Sequence, residues 1–150
     1  MIGTLRKVCF LLARISFFIV YFYFGLLKVL GHSPAEAIVH ELWLRTISII
    51  PFKTFVLLFG AFEMLLGVIF LIPGLERIAL YLLIPHFITT FGPLVLLPHL
   101  TWKGFMVPTL AGHYVIKNIT IIALAILIAA NIGRFEKRQI PHETKLDNGA

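Results

Sequence analysis

Residues 54–73 read TFVLLFGAFEMLLGVIFLIP, an apolar run of twenty residues in which Glu63 is the one charged side chain. At about 1.5 Å of rise per residue, a helix of this length crosses a hydrocarbon core of about 30 Å. Inside such a core only helices and closed barrels satisfy every backbone polar group, and the run lacks the alternation of barrel strands. The stretch therefore predicts a transmembrane helix with a buried carboxyl group.

Three further runs have the same character. They are Val8–Leu30, Ile78–Pro98 and Tyr114–Ile132. The chain is 59% hydrophobic and 13% charged, far from the roughly 25% charged residues of soluble domains. The predicted fold class is all-α, an integral membrane bundle of four transmembrane helices over residues 1–135, followed by a charged, disordered cytoplasmic tail over residues 136–150.

The connection between the first two spans carries a helix-start pattern. Ser33-Pro34-Ala35-Glu36 combines an N-cap residue, a proline at the first helical position and a capping-box glutamate. We expect a short helix running to about Ser48 that lies in the membrane interface, with Trp43 at headgroup level.

The distribution of basic residues predicts the orientation. The side that carries both termini has seven, namely Arg6, Lys7, Arg77, Arg134, Lys137, Arg138 and Lys145. The opposite side has three, namely Arg45, Lys53 and Lys103. The positive-inside rule then places both termini in the cytoplasm of a plasma (bacterial inner) membrane protein. The first span is retained rather than cleaved as a signal peptide, because Arg14 interrupts it and no cleavage site follows.

Several classes of function are excluded by composition. The net charge of +6 comes from scattered or terminal residues, without the basic face of a nucleic-acid-binding protein. Cys9 is the single cysteine, so no redox cysteine pair exists. No span carries a metal-ligand pair or a Ser-His-Asp set, and no histidine faces His86 at the same depth to hold a haem. We therefore assign no catalytic residue, metal or haem.

Arg14, Glu63 and His86 are predicted to form a buried polar cluster. Depths counted from the span ends place Arg14 and Glu63 within roughly 6 Å of each other along the membrane normal, with His86 near Glu63. Glu63 either forms a salt bridge with Arg14 that sets helix register or has a functional role. His86 either forms a hydrogen bond between helices or serves in proton transfer or ligand binding.

Lys28, Lys117 and Asn118 lie in the outer turns of the first and fourth spans. The two lysines either extend to the lipid headgroups or turn inward. In the second case the interior has a positive bias and favours an anionic or electron-rich ligand, such as a quinone headgroup, a sulfur oxyanion or a lipid phosphate. These three residues are candidates for anion or headgroup contacts.

Small residues mark the expected helix contacts. Gly60 and Gly67 flank Glu63 on one face of the second span. Gly25 lies on one stripe of the first span with Arg14, Tyr21 and Lys28, and we expect this stripe to face protein. Ala125 and Ala129 form a similar stripe on the fourth span, either for packing within the bundle or for contact with a second copy of the chain.

The spacing of these residues resembles the DoxX-like family of small four-helix membrane proteins. The shared pattern comprises Arg14, Gly25 and Lys28 in the first span, the run Gly60, Glu63, Gly67, Gly74 and Arg77 in the second, and Lys117-Asn118 opening the fourth. The resemblance covers residues 10–132. It implies a membrane subunit or anchor of a quinone-linked redox or oxidative-stress system, which supplies a quinone or membrane docking site to a redox partner subunit that carries the cofactor.

Two other functions are compatible with the same residues. Glu63 could carry a proton in a small proton- or anion-coupled transporter, which with four helices would need a homo-oligomer. Alternatively, the chain is a lipid-binding scaffold whose buried charges only stabilise the bundle.

Overall fold

The computed structural model describes residues 2–139. Six helices and two short strands follow one another as α1 (Ile2–Val29), α2 (Glu36–Thr46), α3 (Phe52–Leu71), α4 (Glu76–Leu96), α5 (Pro98–Thr101), β1 (Trp102–Gly104), β2 (Val107–Pro108) and α6 (Leu110–Gln139). Within the described residues, four helices are long and apolar enough to cross a membrane, and they correspond to the four predicted spans.

The helices extend beyond several predicted ends. α1 begins at Ile2 rather than Val8, and α6 continues to Gln139, four residues into the predicted tail. The remainder of that tail, residues 140–150, lies outside the described residues. Between α3 and α4 the chain turns at Gly74, whose φ of +92° is a left-handed conformation that glycine adopts without steric cost.

α2 is the short helix predicted in the connection between the first two spans. The hydroxyl of Ser33 accepts a hydrogen bond from the backbone N–H of Ala35, and the helix proper begins one residue later. Two side chains fix its far end, because Trp43 donates to the carbonyl of Ile50 at 2.8 Å and Arg45 donates to the carbonyl of Leu96 at 3.0 Å. α2 therefore lies against the beginning of α3 and the end of α4.

The connection between α4 and α6 contains two short strands that the all-α prediction missed. α5 leads into an antiparallel hairpin of β1 and β2, whose turn is formed by Phe105 and Met106. Thr109 anchors its base: its N–H and hydroxyl donate to the carbonyls of Thr101 and Leu100 at 2.9 and 2.6 Å. Strands of three and two residues are too short for a period-2 pattern to be visible in the sequence.

The closest helix contact joins α1 and α3, which run antiparallel. A Cβ atom on Gly60 would lie 2.7 Å from the carbonyl oxygen of Gly25, and one on Gly67 would lie 2.9 Å from the backbone nitrogen of Phe22. Such distances are below van der Waals contact, so the two backbones touch where side chains would separate them. The register of this pair determines which polar groups of the two helices can meet.

The apolar core lies nearer the end of the bundle that carries the N-terminus. It consists of Phe17, Tyr21, Leu66, Phe70, Ala79, Leu83, Ala125 and Ile128. Phe17 and Phe70 stack with ring centroids 4.1 Å apart, which adds a directional contact to the α1–α3 pair. Of the two alanines predicted for packing, Ala125 is buried and Ala129 is exposed.

We expect Gly60→Ala to destabilise the bundle by about 1–3 kcal/mol, the usual cost of overfilling a packed contact. Thermal unfolding of the detergent-solubilised protein, followed by circular dichroism, measures the effect. Gly104→Ala is the matched control, because a Cβ at Gly104 meets no atom within 4 Å. Equal melting temperatures for the two variants would contradict the close α1–α3 contact.

Candidate functional site

The central polar contact of the bundle is an ion pair between Lys28 and Glu63. The ammonium nitrogen of Lys28 lies 2.6 Å from Oε2 of Glu63, and the two side chains are 8% and 6% exposed. Neither charge is accessible from outside the bundle, so each depends on the other for compensation. Lys28 thus turns inward, which resolves one of the alternatives that the sequence left open.

The direction of helical side chains explains this pairing. Cα–Cβ bonds tilt toward the N-terminus of their own helix. On antiparallel helices, Lys28 near the end of α1 therefore leans toward the middle of the bundle, and Glu63 in α3 leans toward Lys28. Glu63 comes from the face that also carries Gly60, where the backbones are closest.

The predicted contact between Arg14 and Glu63 is not formed. Arg14 pairs instead with Oε1 of Glu76, at the start of α4, whose Oε2 accepts the backbone N–H of Gly74 at 2.8 Å. The α1–α3 register places Gly25 against Gly60 and Met64, so Glu63 lies level with Gly25, about 15 Å along the helix from Arg14 rather than 6 Å. The N-terminal tilt also directs Arg14 away from Glu63. This second pair ties α1 to the α3–α4 turn.

His86 completes the cluster around Glu63. Its Nδ1 lies 3.9 Å from Oε1 of Glu63, too far for a hydrogen bond, and has no hydrogen-bond partner among the described residues. The Tyr21 ring meets the imidazole edge-on at 5.0 Å, and Phe59 stacks on it at 5.7 Å. Phe59 also lies 5.4 Å from the ammonium nitrogen of Lys28, so one ring borders both polar groups.

Thr90 lies against both the backbone and the ring of His86. Its hydroxyl oxygen is 2.8 Å from the backbone carbonyl of His86 and 3.2 Å from Nε2. A hydroxyl that donates to the carbonyl can accept from Nε2–H, and in that tautomer Nδ1 presents a lone pair toward Oε1 of Glu63. The 3.9 Å between Nδ1 and Oε1 leaves no room for another atom, so a hydroxyl donor could reach Nδ1 only after a neighbouring side chain moved.

Lys117 and Asn118 do not join this cluster. Lys117 is exposed, with its ammonium nitrogen 5.5 Å from the ring centre of Tyr114, and Asn118 donates to the carbonyl of Tyr114 at 3.4 Å. The two lysines that sequence reasoning treated alike are thus separated by the fold.

Sequence reasoning missed two contributors to these contacts. Glu76 was assigned to a turn outside the spans, and Phe59 belongs to an aromatic-rich run in which lipid-facing and inward positions look the same. Tyr21, which was expected on the protein-facing stripe of the first span, is buried.

A crevice is lined by Lys28, Ser33, Glu36, Val39 and Val56, which places α2 beside the Lys28 end of the cluster. Within residues 2–139, no group of three metal-ligating side chains comes together.

Comparisons with protein-family models, with curated proteins and with solved structures return no match for this chain. The DoxX-like resemblance therefore stays a prediction from the residue pattern.

We expect Lys28→Met to destabilise the protein by about 3–5 kcal/mol, because it leaves Glu63 as a buried charge without its partner. The double variant Lys28→Met/Glu63→Leu should regain most of this loss. Unfolding midpoints in detergent report both effects. Lys117→Met removes an exposed lysine from the same end of the bundle and serves as the control. An equal loss of stability in Lys28→Met and Lys117→Met would refute the pairing.

Proposed function

We propose that this chain is a multi-pass protein of the plasma (bacterial inner) membrane and that it serves as the quinone-binding membrane subunit of a redox system. The observation that supports this most directly is that Nδ1 of His86, buried and without a hydrogen-bond partner among the described residues, faces Oε1 of Glu63 at 3.9 Å with aromatic rings around it. A redox partner subunit would hold the electron-transferring cofactor.

These polar atoms suit the reduced form of the ligand. A quinol headgroup combines a flat ring, which can stack on aromatic side chains, with hydroxyl groups that donate hydrogen bonds. In the tautomer with hydrogen on Nε2, His86 Nδ1 would receive the proton of the hydroxyl that it binds when the quinol is oxidised. The second hydroxyl would release its proton to water at the membrane surface, and the two electrons would pass to the partner's cofactor. Lys28 pairs with Oε2 of Glu63, so that Oε1 is the carboxyl oxygen on the side of His86.

Phe59 is the residue that controls entry in this proposal. It is half-buried, and its ring covers both His86 and Lys28. The side chains around Glu63 are tightly packed, so the headgroup has to displace one of them to reach Nδ1 of His86. Phe59 can move without breaking a hydrogen bond or an ion pair, and its movement would uncover both His86 and Lys28.

We expect purified protein in nanodiscs to bind decylubiquinol more tightly than decylubiquinone, by about fivefold for one hydrogen bond of about 1 kcal/mol to the neutral Nδ1. His86→Phe should abolish this preference, because it keeps a ring in place but removes Nδ1. Phe59→Ala should strengthen binding of both forms. Labelling by a photoreactive azidoquinone, mapped by mass spectrometry and competed with each ligand, gives the site and the relative affinities.

Arg14→Gln is the matched control for that experiment. It breaks the other intramembrane ion pair, at the opposite end of α1, and should lower stability while leaving the quinol preference unchanged. The proposal fails if the wild-type protein binds neither ligand, if labelling falls outside α1, α3 and α4, or if His86→Phe and wild type bind alike.

The topology belongs to the same proposal. Seven basic residues on the side of the termini against three opposite favour cytoplasmic N- and C-termini. We expect a green fluorescent protein fused after Ala150 to fluoresce and alkaline phosphatase fused at the same point to be inactive. The reverse pattern would contradict the orientation and place α2 and the hairpin in the cytoplasm.

A further inference from the structure

The hairpin between α5 and α6 exposes apolar side chains at its turn. Phe105 is 97% exposed and Met106 is 74% exposed, and Val107 beside them is exposed as well. We call these three residues the hairpin tip. Turns that face water usually carry Gly, Asn, Asp or Ser, so three apolar residues at this point need a different explanation.

The backbone at the tip makes this choice of residues more unusual. Met106 has φ of +59°, a left-handed conformation in which glycine or asparagine is expected. The chain thus places the apolar side chain of Met106 at a position where glycine or asparagine would be easier to accommodate. The base of the hairpin, by contrast, is pinned by Thr109 and by Trp102, whose indole N–H donates to the carbonyl of Leu94 at 3.1 Å.

A second connection at the same end of the bundle has the same property. Ile47, Ile49 and Ile50, between α2 and α3, are all exposed, with Ile49 at 93%. We call these three residues the loop tip. Both tips have a tryptophan close by, Trp43 or Trp102, and a basic residue, Lys53 or Lys103. Tryptophan, lysine and exposed aliphatic residues together are typical of the membrane interface.

We propose that the hairpin tip inserts into the lipid headgroup region of the outer leaflet and, with the loop tip, anchors the outer face of the bundle to the bilayer. The turn carries backbone groups without ladder partners, which the hydrocarbon core would not tolerate. Insertion therefore stops at the boundary between headgroups and acyl chains, with Lys103 directed to the phosphates. This anchoring requires membrane insertion but not quinone binding.

The test uses single cysteines on a Cys9→Ser background, labelled with an environment-sensitive fluorophore in nanodiscs. Met106→Cys and Ile49→Cys report the two tips. Ile88→Cys reports a position on α4 that is 70% exposed on the bundle's apolar surface, and His32→Cys reports an exposed polar turn at the same end as the tips. Lipids carrying a quencher near the headgroup or deep in the acyl chain measure depth, and iodide measures contact with water.

We expect at least twofold stronger quenching by the shallow than by the deep lipid at Met106→Cys and Ile49→Cys, with little iodide quenching. His32→Cys should show the reverse, and Ile88→Cys should be quenched by the deep lipid. Phe105→Ser should return the Met106→Cys label to iodide-accessible water, while the full-length protein keeps its helical spectrum.

The proposal is overturned if Met106→Cys behaves like His32→Cys while Ile88→Cys is quenched by the deep lipid. It is also overturned if protection of the tip disappears when each nanodisc holds one copy, because the occupant would then be a second copy of the chain. Loss of lipid quenching at Ile88→Cys would instead mean that the helices do not span the bilayer, a failure of membrane insertion itself.

Discussion

The structure depends on the close antiparallel contact of α1 and α3 and on the ion pair that this contact encloses. Gly25 and Gly60 let the two backbones touch, and Lys28 and Glu63 then meet at 2.6 Å with almost no exposure. A buried pair of this kind is weak evidence for added stability, because desolvation offsets much of the attraction. It is strong evidence for register, because a shift of the helices would leave two charges unpaired in an apolar interior.

The two buried ion pairs join different elements of the bundle. Arg14–Glu76 joins α1 to the start of α4, where a carboxylate is favoured by the helix N-terminus and also accepts the N–H of Gly74. Both carboxylate oxygens of Glu76 are engaged, whereas Nε of Arg14 is buried without a hydrogen-bond partner among the described residues. Nδ1 of His86 is likewise unpartnered, faces Oε1 of Glu63 at 3.9 Å, and is bordered by the rings of Tyr21 and Phe59. An incomplete polar network in a packed interior is where a ligand or a transferable proton is expected.

The end of the bundle that carries α2, α5 and the hairpin contains regular structure in place of simple loops. α2 covers the end of the α1–α3 pair and is tied to α4 through Arg45, and the hairpin is tied to α5 through Thr109. Both connections are thus held by hydrogen bonds at their bases while their tips remain apolar and exposed. The bases therefore hold the apolar tips in fixed positions at one end of the bundle.

The sequence by itself determined the four helices, the short helix between the first two, and the residues that are costly at membrane depth. Length and hydropathy decide those features, because each run must satisfy its own backbone in an apolar medium. Partner choice was decided only by tertiary structure. Which acid Arg14 meets, whether Lys28 turns inward, and whether Lys117 stays outside depend on helix register and on the tilt of side chains toward each N-terminus. A shift of a few residues between two helices moves a charge by the length of a side chain, and span ends counted from sequence carry an error of that size.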